Sequence, residues 1–250
     1  MKTDPVIDLN CDLGEGAGHD AELMPLVTSA NIACGAHAGD PPTMRETVSL
    51  ALRHGVAIGA HPGFADREFF GRRELSLDRA EIYTQVRAQV ELLCEIAARE
   101  GGRVTHVKPH GALYNMAARE TGVAAAVVAA VADVDPGLRL YGLAGGRLIE
   151  TGRNLGLRVA AEVFADRTYQ ADGSLTLRGR ENAVIENEAD AIAQVLRMVR
   201  EGVVRSIDGT DVAMQADTLC LHGDGPQAVN FARGVRRALL GAGVRISKVR

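Results

Sequence analysis

The chain has 250 residues, 46% of them apolar and 24% charged, with a formal net charge of −4. That length suffices for one α/β barrel or another large domain with a full core. With no basic stripe, no Trp and only 4% aromatics, composition argues against a nucleic-acid or anionic-membrane partner.

The four cysteines, Cys11, Cys34, Cys94 and Cys220, form no C-x-x-C pair, so reduced thiols are expected rather than a disulfide framework or Cys-rich zinc site. The N-terminal M-K-T-D-P-V lacks the apolar core of a signal peptide, and the Ala-rich run over residues 122–131 is too short to span a bilayer. A cytoplasmic location is expected.

Residues 5–10 (P-V-I-D-L-N) read as a first strand that ends in a glycine-rich loop. A short helix over 22–28 precedes a second strand, 30–34. Asp40 and Pro41 open a helix that Gly55 closes. The third strand, 56–60, runs into His61-Pro62-Gly63. Ser76 or Asp78 caps a long helix ending at Gly101-Gly102. The fourth strand begins V-T-H-V and stops at Lys108-Pro109-His110, because proline has no N–H to donate. A helix over 120–133 follows, then a strand over 138–144, a short helix to Asn154 and a sixth strand over 157–164. Residues 169–180, with A-D-G-S, carry a hairpin signal. A helix over 188–201 and a seventh strand, 218–221, precede His222-Gly223-Asp224; a last helix and a short strand finish the chain.

Strand and helix therefore alternate about seven times, and the strands are apolar, as strands covered on both faces are. Polar clusters follow almost every strand. In an open sheet they would gather at one switch point; a closed parallel (β/α) barrel brings them all to one mouth. The expectation is a distorted parallel barrel of about seven strands, with residues 1–250 forming one domain.

Collected, the strand ends hold Asp8, Asn10, Asp12, His37, His61, Lys108, His110, Glu162, Asp166, Arg167, His222 and Asp224. Four of the seven histidines fall there. A lone histidine after a strand is commonly a solvated loop residue, but four in register are harder to assign so. His106 receives no role. Asp8, Asn10 and Asp12 alternate, so on a continuing strand they share one face; an Asx turn is the other reading. Two chemistries fit this set. One is a metal site that activates water. The other is acid–base hydrolysis with carboxylates and a cationic donor. Lys108 among carboxylates also fits a structural ion pair.

Six segments together resemble the LamB/YcsF family of 5-oxoprolinase A subunits: residues 8–16 (D-L-N-C-D-L-G-E-G), 31–41 (N-I-A-C-G-A-H-A-G-D-P), 59–64 (G-A-H-P-G-F) with 70–73 (F-G-R-R), 107–115 (V-K-P-H-G-A-L-Y-N), 162–169 (E-V-F-A-D-R-T-Y) and 221–224 (L-H-G-D). Ala36 stands where the family pattern has an aromatic. The resemblance implies a glycoside hydrolase/deacetylase-like barrel. It also implies ATP-dependent opening of 5-oxo-L-proline to L-glutamate, in a complex with B and C subunits.

A lactam is a resonance-stabilised amide, and phosphorylating its oxygen makes it electrophilic. The chain has no G-x-x-x-x-G-K-[ST] phosphate cradle, so the ATP site is expected on the partner subunits. This barrel would then add water, with Asp12 or Glu162 as base and with Lys108 and Arg167 holding phosphate and carboxylate charge. Asn10, His37, His61, His110, His222 and Asp224 would complete the substrate pocket. Two alternatives remain open at this point: a stand-alone metal-dependent deacetylase or amidohydrolase, with Asp12, His37 and His61 as ligands, and a non-catalytic subunit that presents the lactam.

Overall fold

The computed structural model describes residues 4–222, 225 and 227–249. In chain order the elements are β1 (Val6–Leu13), α1 (Asp20–Leu23), β2 (Ser29–Ala33), α2 (Pro41–His54), β3 (Ala57–His61), α3 (Arg79–Arg99), β4 (Val104–Val107), α4 (Gly111–Arg119) and α5 (Thr121–Val134). Then come β5 (Arg139–Leu143), α6 (Arg147–Asn154), β6 (Arg158–Phe164), α7 (Glu188–Glu201), β7 (Val203–Arg205), β8 (Asp211–Ala213), β9 (Thr218–Leu221), α8 (Ala228–Gly241) and β10 (Arg245–Ile246).

Strands β1 to β6 pair in order and all in parallel; β9 lies between β6 and β1 and closes a seven-stranded barrel. β10 adds two residues to the N-terminal end of β1, and β7 with β8 forms a separate antiparallel ribbon. Among the described residues no helix is long and apolar enough to cross a membrane.

Local chemistry sets the boundaries. Asp40 accepts from the Thr43 amide ahead of the two prolines that open α2, and Gly55 closes that helix at φ 64°. Asp78 and Glu81 form a reciprocal capping box on α3. Two elements differ from the sequence-based expectation. Helix α4 begins at Gly111 (φ 56°), with His110 at its N-cap, so the polar stop of β4 is also a helix start. The β7–β8 ribbon falls where the sequence carries no strand signal, because strands of three residues show no periodicity.

The outward side chains of the barrel, including Ile7, Leu9, Ile32, Ile58, Val107, Leu140, Val163 and Leu219, are apolar and fully or almost fully buried under the helices. Many of the inward side chains are polar, whereas parallel barrels usually fill their lumen with branched aliphatics. At the N-terminal end of the lumen, Asp8 accepts from the hydroxyls of Thr28, Ser29, Tyr141 and Thr218. One level up, Asn10 donates to Glu162 (2.9 Å) and Thr218 (2.7 Å), and Asn31 donates to Asn10 (2.7 Å). His106 Nε2 lies 2.9 Å from Asn31 Oδ1, and its ring stacks on Tyr141. Gly59 makes room for that ring: a Cβ there would lie 2.0 Å from His106 Nε2. Asp8, Asn10 and Asp12 do share one face of one strand.

Candidate active site

The C-terminal end of the lumen opens into a cleft of about 930 Å³, with Asp12, Glu15, His61, Lys108, His110, Tyr114, Phe164, Arg167 and His222 in its wall. At its floor Lys108 Nζ lies 2.9 Å from Asp12 Oδ1 and 2.8 Å from Glu162 Oε1. The same ammonium donates to Asn10 Oδ1 (3.2 Å) and Cys220 Sγ (3.1 Å). Burial alone would neutralise Lys108, but Asp12, Cys220 and Glu162 hold its pKa well above the usual lysine value. Burial alone would likewise raise the Asp12 carboxyl; His61 and Lys108 keep it well below the carboxylate range. Asp12 is thus a buried anion held by Lys108 and by Asn31 Nδ2, 2.8 Å away.

Glu162 is completely buried and does not form part of the cleft wall. Its Oε2 and the Tyr114 hydroxyl are both buried without a hydrogen-bond partner. Glu162 reaches the cleft through Lys108, and its charge, behind burial, helps to raise the hydroxyl of Tyr114 in the cleft wall.

Beside Asp12 stands a second cluster. Glu15 Oε1, His37 Nε2, His61 Nε2 and His110 Nδ1 lie within 4.8 Å of one another. The loop after β1 turns back through Gly14 (φ 71°) and Gly16 (φ 86°), which brings Glu15 over the barrel mouth. His61 Nδ1 faces the Lys108 carbonyl (2.7 Å) and His110 Nε2 the Phe70 carbonyl (2.9 Å), so each ring is fixed by its outer nitrogen. His37 stacks on His110 with centroids 3.7 Å apart. A Cβ on Gly63 would lie 2.7 Å from His37 Nδ1, and one on Gly71 2.8 Å from His37 Cβ, so these glycines let the rings close up. Phe70, whose carbonyl orients His110, has a left-handed backbone (φ 54°), a strain that clusters at functional sites.

Burial pushes His37 down to about 4 and His110 below the ordinary imidazole value. Burial would also raise Glu15, but the hydrogen bonds of His110 and His37 bring it to about 2. His61 is raised; burial opposes this and Asp12 outweighs it. Asp12 Oδ2, Glu15 Oε1 and His110 Nδ1 all face His61 Nε2, at 3.3, 3.7 and 2.9 Å. That concentration of lone pairs calls for a cation. A proton on His61 supplies one; three imidazoles and a carboxylate also suit a zinc-like ion, and the four residues can hold a metal.

The structure thus brings Asn10, Asp12, His37, His61, Lys108, His110 and Glu162 into one continuous network. His222 stands apart, at the end of β9, with Nδ1 2.8 Å from both Asp166 oxygens. Arg167 donates through Nε and Nη2 to the carbonyls of Ala183 and Thr176 and so ties down the loop after β6. Asp224 lies outside the described residues. Of the metal ligands expected, His37 and His61 fall in the four-residue group, while Glu15 and His110 take the remaining positions and Asp12 lies alongside. Sequence reasoning missed Glu15, Asn31, His106 and Tyr114. For Glu15 a signal existed: an acid between two glycines, three residues after Asp12.

A closed parallel β/α barrel with carboxylates, imidazoles and a buried lysine at its mouth is the class of protein that this fold and site define. The structure of peptidoglycan deacetylase PdaC from Bacillus subtilis shares this fold, with TM-score 0.53 and 14% identity over 99% of this chain and 89% of that one. The crystal structure of a lactam utilization protein from Thermus thermophilus is far more similar: TM-score 0.91 and 47% identity over 97% of this chain and 99% of that one. The 5-oxoprolinase A subunit of Geobacillus kaustophilus is 56% identical over 248 residues, covering 98% of this chain and 97% of that protein. The LamB/YcsF family model matches residues 7–250, and the chain belongs to that family.

Proposed function

We propose that this chain is the water-adding subunit of a cytoplasmic 5-oxoprolinase, which uses ATP to open 5-oxo-L-proline to L-glutamate. B and C subunits would carry the ATP site and phosphorylate the lactam oxygen. The relatives' shared identity as 5-oxoprolinase A subunits supports the substrate. The observation that carries the hydrolytic role is Asp12: an ionised carboxylate at the cleft floor, 2.9 Å from a buried ammonium.

Asp12 Oδ1 is held by Lys108 and Asn31 and Oδ2 by His61 alone, at 3.3 Å, so Oδ2 is the oxygen that takes a proton from water. Lys108 keeps Asp12 charged. It also offers positive charge to the substrate oxygen, which can displace the weak Cys220 Sγ acceptor. Glu162 holds Lys108 in place, and Asp12 rather than Glu162 acts as base. Arg178 and Arg180 on the cleft wall face the carboxylate and phosphoryl charge of the substrate, and Arg167, held by the Ala183 and Thr176 carbonyls, fixes the loop that carries them. Glu15, His37, His61 and His110 would hold a divalent ion, which when bound would polarise an oxygen or acidify a water.

The test is glutamate release from 5-oxoproline and ATP, by this chain alone and with its B and C subunits. Release only from the mixture is expected. No release from a folded, assembled complex refutes the reading. The four-residue donor group favours one second reading, a stand-alone metal-dependent amidohydrolase. Stoichiometric metal in the purified chain, with ATP-independent amide hydrolysis lost on chelation, would establish that instead.

A further inference from the structure

We propose that His222, oriented by Asp166, is the acid that protonates the departing ring nitrogen, and that this proton couples ATP hydrolysis to ring opening. The inference rests on the 5-oxoprolinase reading.

Its chemical basis is a choice between two bonds. In an O-phosphorylated lactam, C5 is doubly bonded to nitrogen and singly bonded to the phosphate oxygen. Water adds to C5: one water proton passes to Asp12, and the C=N π pair moves to nitrogen, which takes a proton. C5 then carries a hydroxyl, the phosphate oxygen and the ring nitrogen. If the C5–O bond to phosphate breaks, inorganic phosphate leaves and the lactam returns. ATP has then been hydrolysed and no ring opened. If the C5–N bond breaks, its electron pair moves to nitrogen, the hydroxyl oxygen forms the new C=O as its proton departs, and glutamyl phosphate results. A second water hydrolyses this to glutamate and phosphate. Phosphate leaves without help. An amine does not, so productive collapse needs an acid at nitrogen. Nitrogen gains two protons in all. The first comes from solvent, to which Asp12 returns the proton it took; His222 delivers the second and is recharged by the departing hydroxyl proton.

The geometry meets these requirements. The register pairs Cys11 with Leu221, which sets Asp12 and His222 side by side at the ends of neighbouring strands. Both line the same cleft. Nucleophile and leaving nitrogen are bonded to one carbon, so adjacent strand ends can serve both. The His222 ring lies along Phe164, with centroids 5.8 Å apart and planes 22° from parallel. Nδ1 lies 2.8 Å from each Asp166 oxygen, an arrangement that fixes the tautomer and the orientation of the ring. Asp166 is mostly buried; burial would raise its carboxyl, but the neighbouring His222 ring holds it below the ordinary value. Arg178 Nη2 donates to Nε2 at 2.9 Å. Arg178 is exposed, and an anionic substrate that draws its guanidinium away frees Nε2 for the proton. The water-adding step leaves Asp166 without any other task.

The experiment uses the assembled complex with 5-oxoproline and ATP in water labelled with oxygen-18, comparing the unaltered chain with His222→Gln and Asp166→Asn. Assembly of each variant is checked by co-elution with the other subunits. ADP, glutamate and the label in recovered 5-oxoproline are measured. For the unaltered chain, equal ADP and glutamate and an unlabelled lactam are expected. For His222→Gln, glutamate release falls by about 10²–10⁴-fold, ADP release falls much less, and recovered lactam carries the label, because water has added and phosphate has left. Asp166→Asn, a change in a positioning residue, gives the same uncoupling in weaker form with an unchanged KM. Equal loss of ADP and glutamate with unlabelled lactam in both variants overturns the proposal. So does full coupling in His222→Gln. Absence of glutamate from the unaltered complex identifies failure of the oxoprolinase reading itself.

Discussion

Replacing Lys108 by Met isolates the electrostatics of the barrel floor. The side chain is 2% exposed and its ammonium lies within 3 Å of two carboxylates, Asp12 and Glu162. Methionine fills most of the volume but leaves both anions without their cation. Removing one partner of a buried ion pair costs about 3–5 kcal/mol, which for a domain of this size is about 6–20 °C in melting temperature. Adding Glu162→Gln removes one of the stranded charges, so the double variant is expected to melt above Lys108→Met. Turnover does not return, because the positive charge beside the substrate is still missing. The pH dependence has a definite sign. Lys108 helps to depress the Asp12 carboxyl, so its stabilisation is full above the unfolded value, about 3.9, and is lost as pH falls through the lower folded value. The gap between the two proteins therefore narrows in acid. Urea denaturation of the single and double variants at pH 7 and at about pH 2.5, below the unfolded carboxyl value, measures both effects. A cost of Lys108→Met below about 1 kcal/mol, the range of exposed pairs, with no recovery in the double variant, would refute the reasoning.

Gly59→Ala drives a methyl into the His106 ring and leaves Asn31 Oδ1 unpaired; overpacking and a lost buried hydrogen bond together predict about 2–6 kcal/mol of destabilisation, part of it recovered in Gly59→Ala/His106→Ala, as urea midpoints would report. Asp12→Asn is expected to lower kcat of the complex by about 10²–10⁴-fold, while Glu162→Gln lowers melting temperature and retains more turnover; the reverse order would make Glu162 the base. Burial holds His106 at about 3 and His37 at about 4 in the folded chain. Between pH 6 and pH 5 the unfolded chain binds protons at both that the folded chain refuses, so stability falls by about 1.4 kcal/mol per histidine per pH unit. His61, raised by Asp12, has the opposite sign, but its contribution is complete below about pH 6.5. Flat or rising urea midpoints from pH 6 to pH 5 would contradict the burial. Zinc titration calorimetry should give one site per chain, weakened at least tenfold by His110→Asn; equal affinity in both would remove Glu15, His37, His61 and His110 as the ligand set.

Much of the site was legible because a parallel barrel converts order along the chain into position around a ring. The apolar strands and the polar stop after each one were local signals. They were enough to bring Asp12, His61, Lys108, His110 and His222 to one mouth. Glu15 escapes such reasoning because its position depends on two left-handed glycines, and a loop that folds back leaves no periodicity. His106 shows no partner in the sequence; its place in the lumen depends on the missing Cβ of Gly59, its register partner on the neighbouring strand β3, with all of α3 between them in the chain.

The residue string by itself determined the strand–helix alternation, the parallel sheet, the polar face of Asp8, Asn10 and Asp12, and the family. All of these rest on neighbours in sequence or on motif spacing. Only the tertiary structure decided that Glu162 is sealed behind Lys108, that Arg167 is taken up by the carbonyls of Ala183 and Thr176, and that Asp166 faces His222. Those distinctions depend on which atoms of distant strands meet within 3 Å or so, and on how much water is excluded there. Burial and partner geometry, rather than residue type, set the charge of a carboxylate and the availability of a guanidinium.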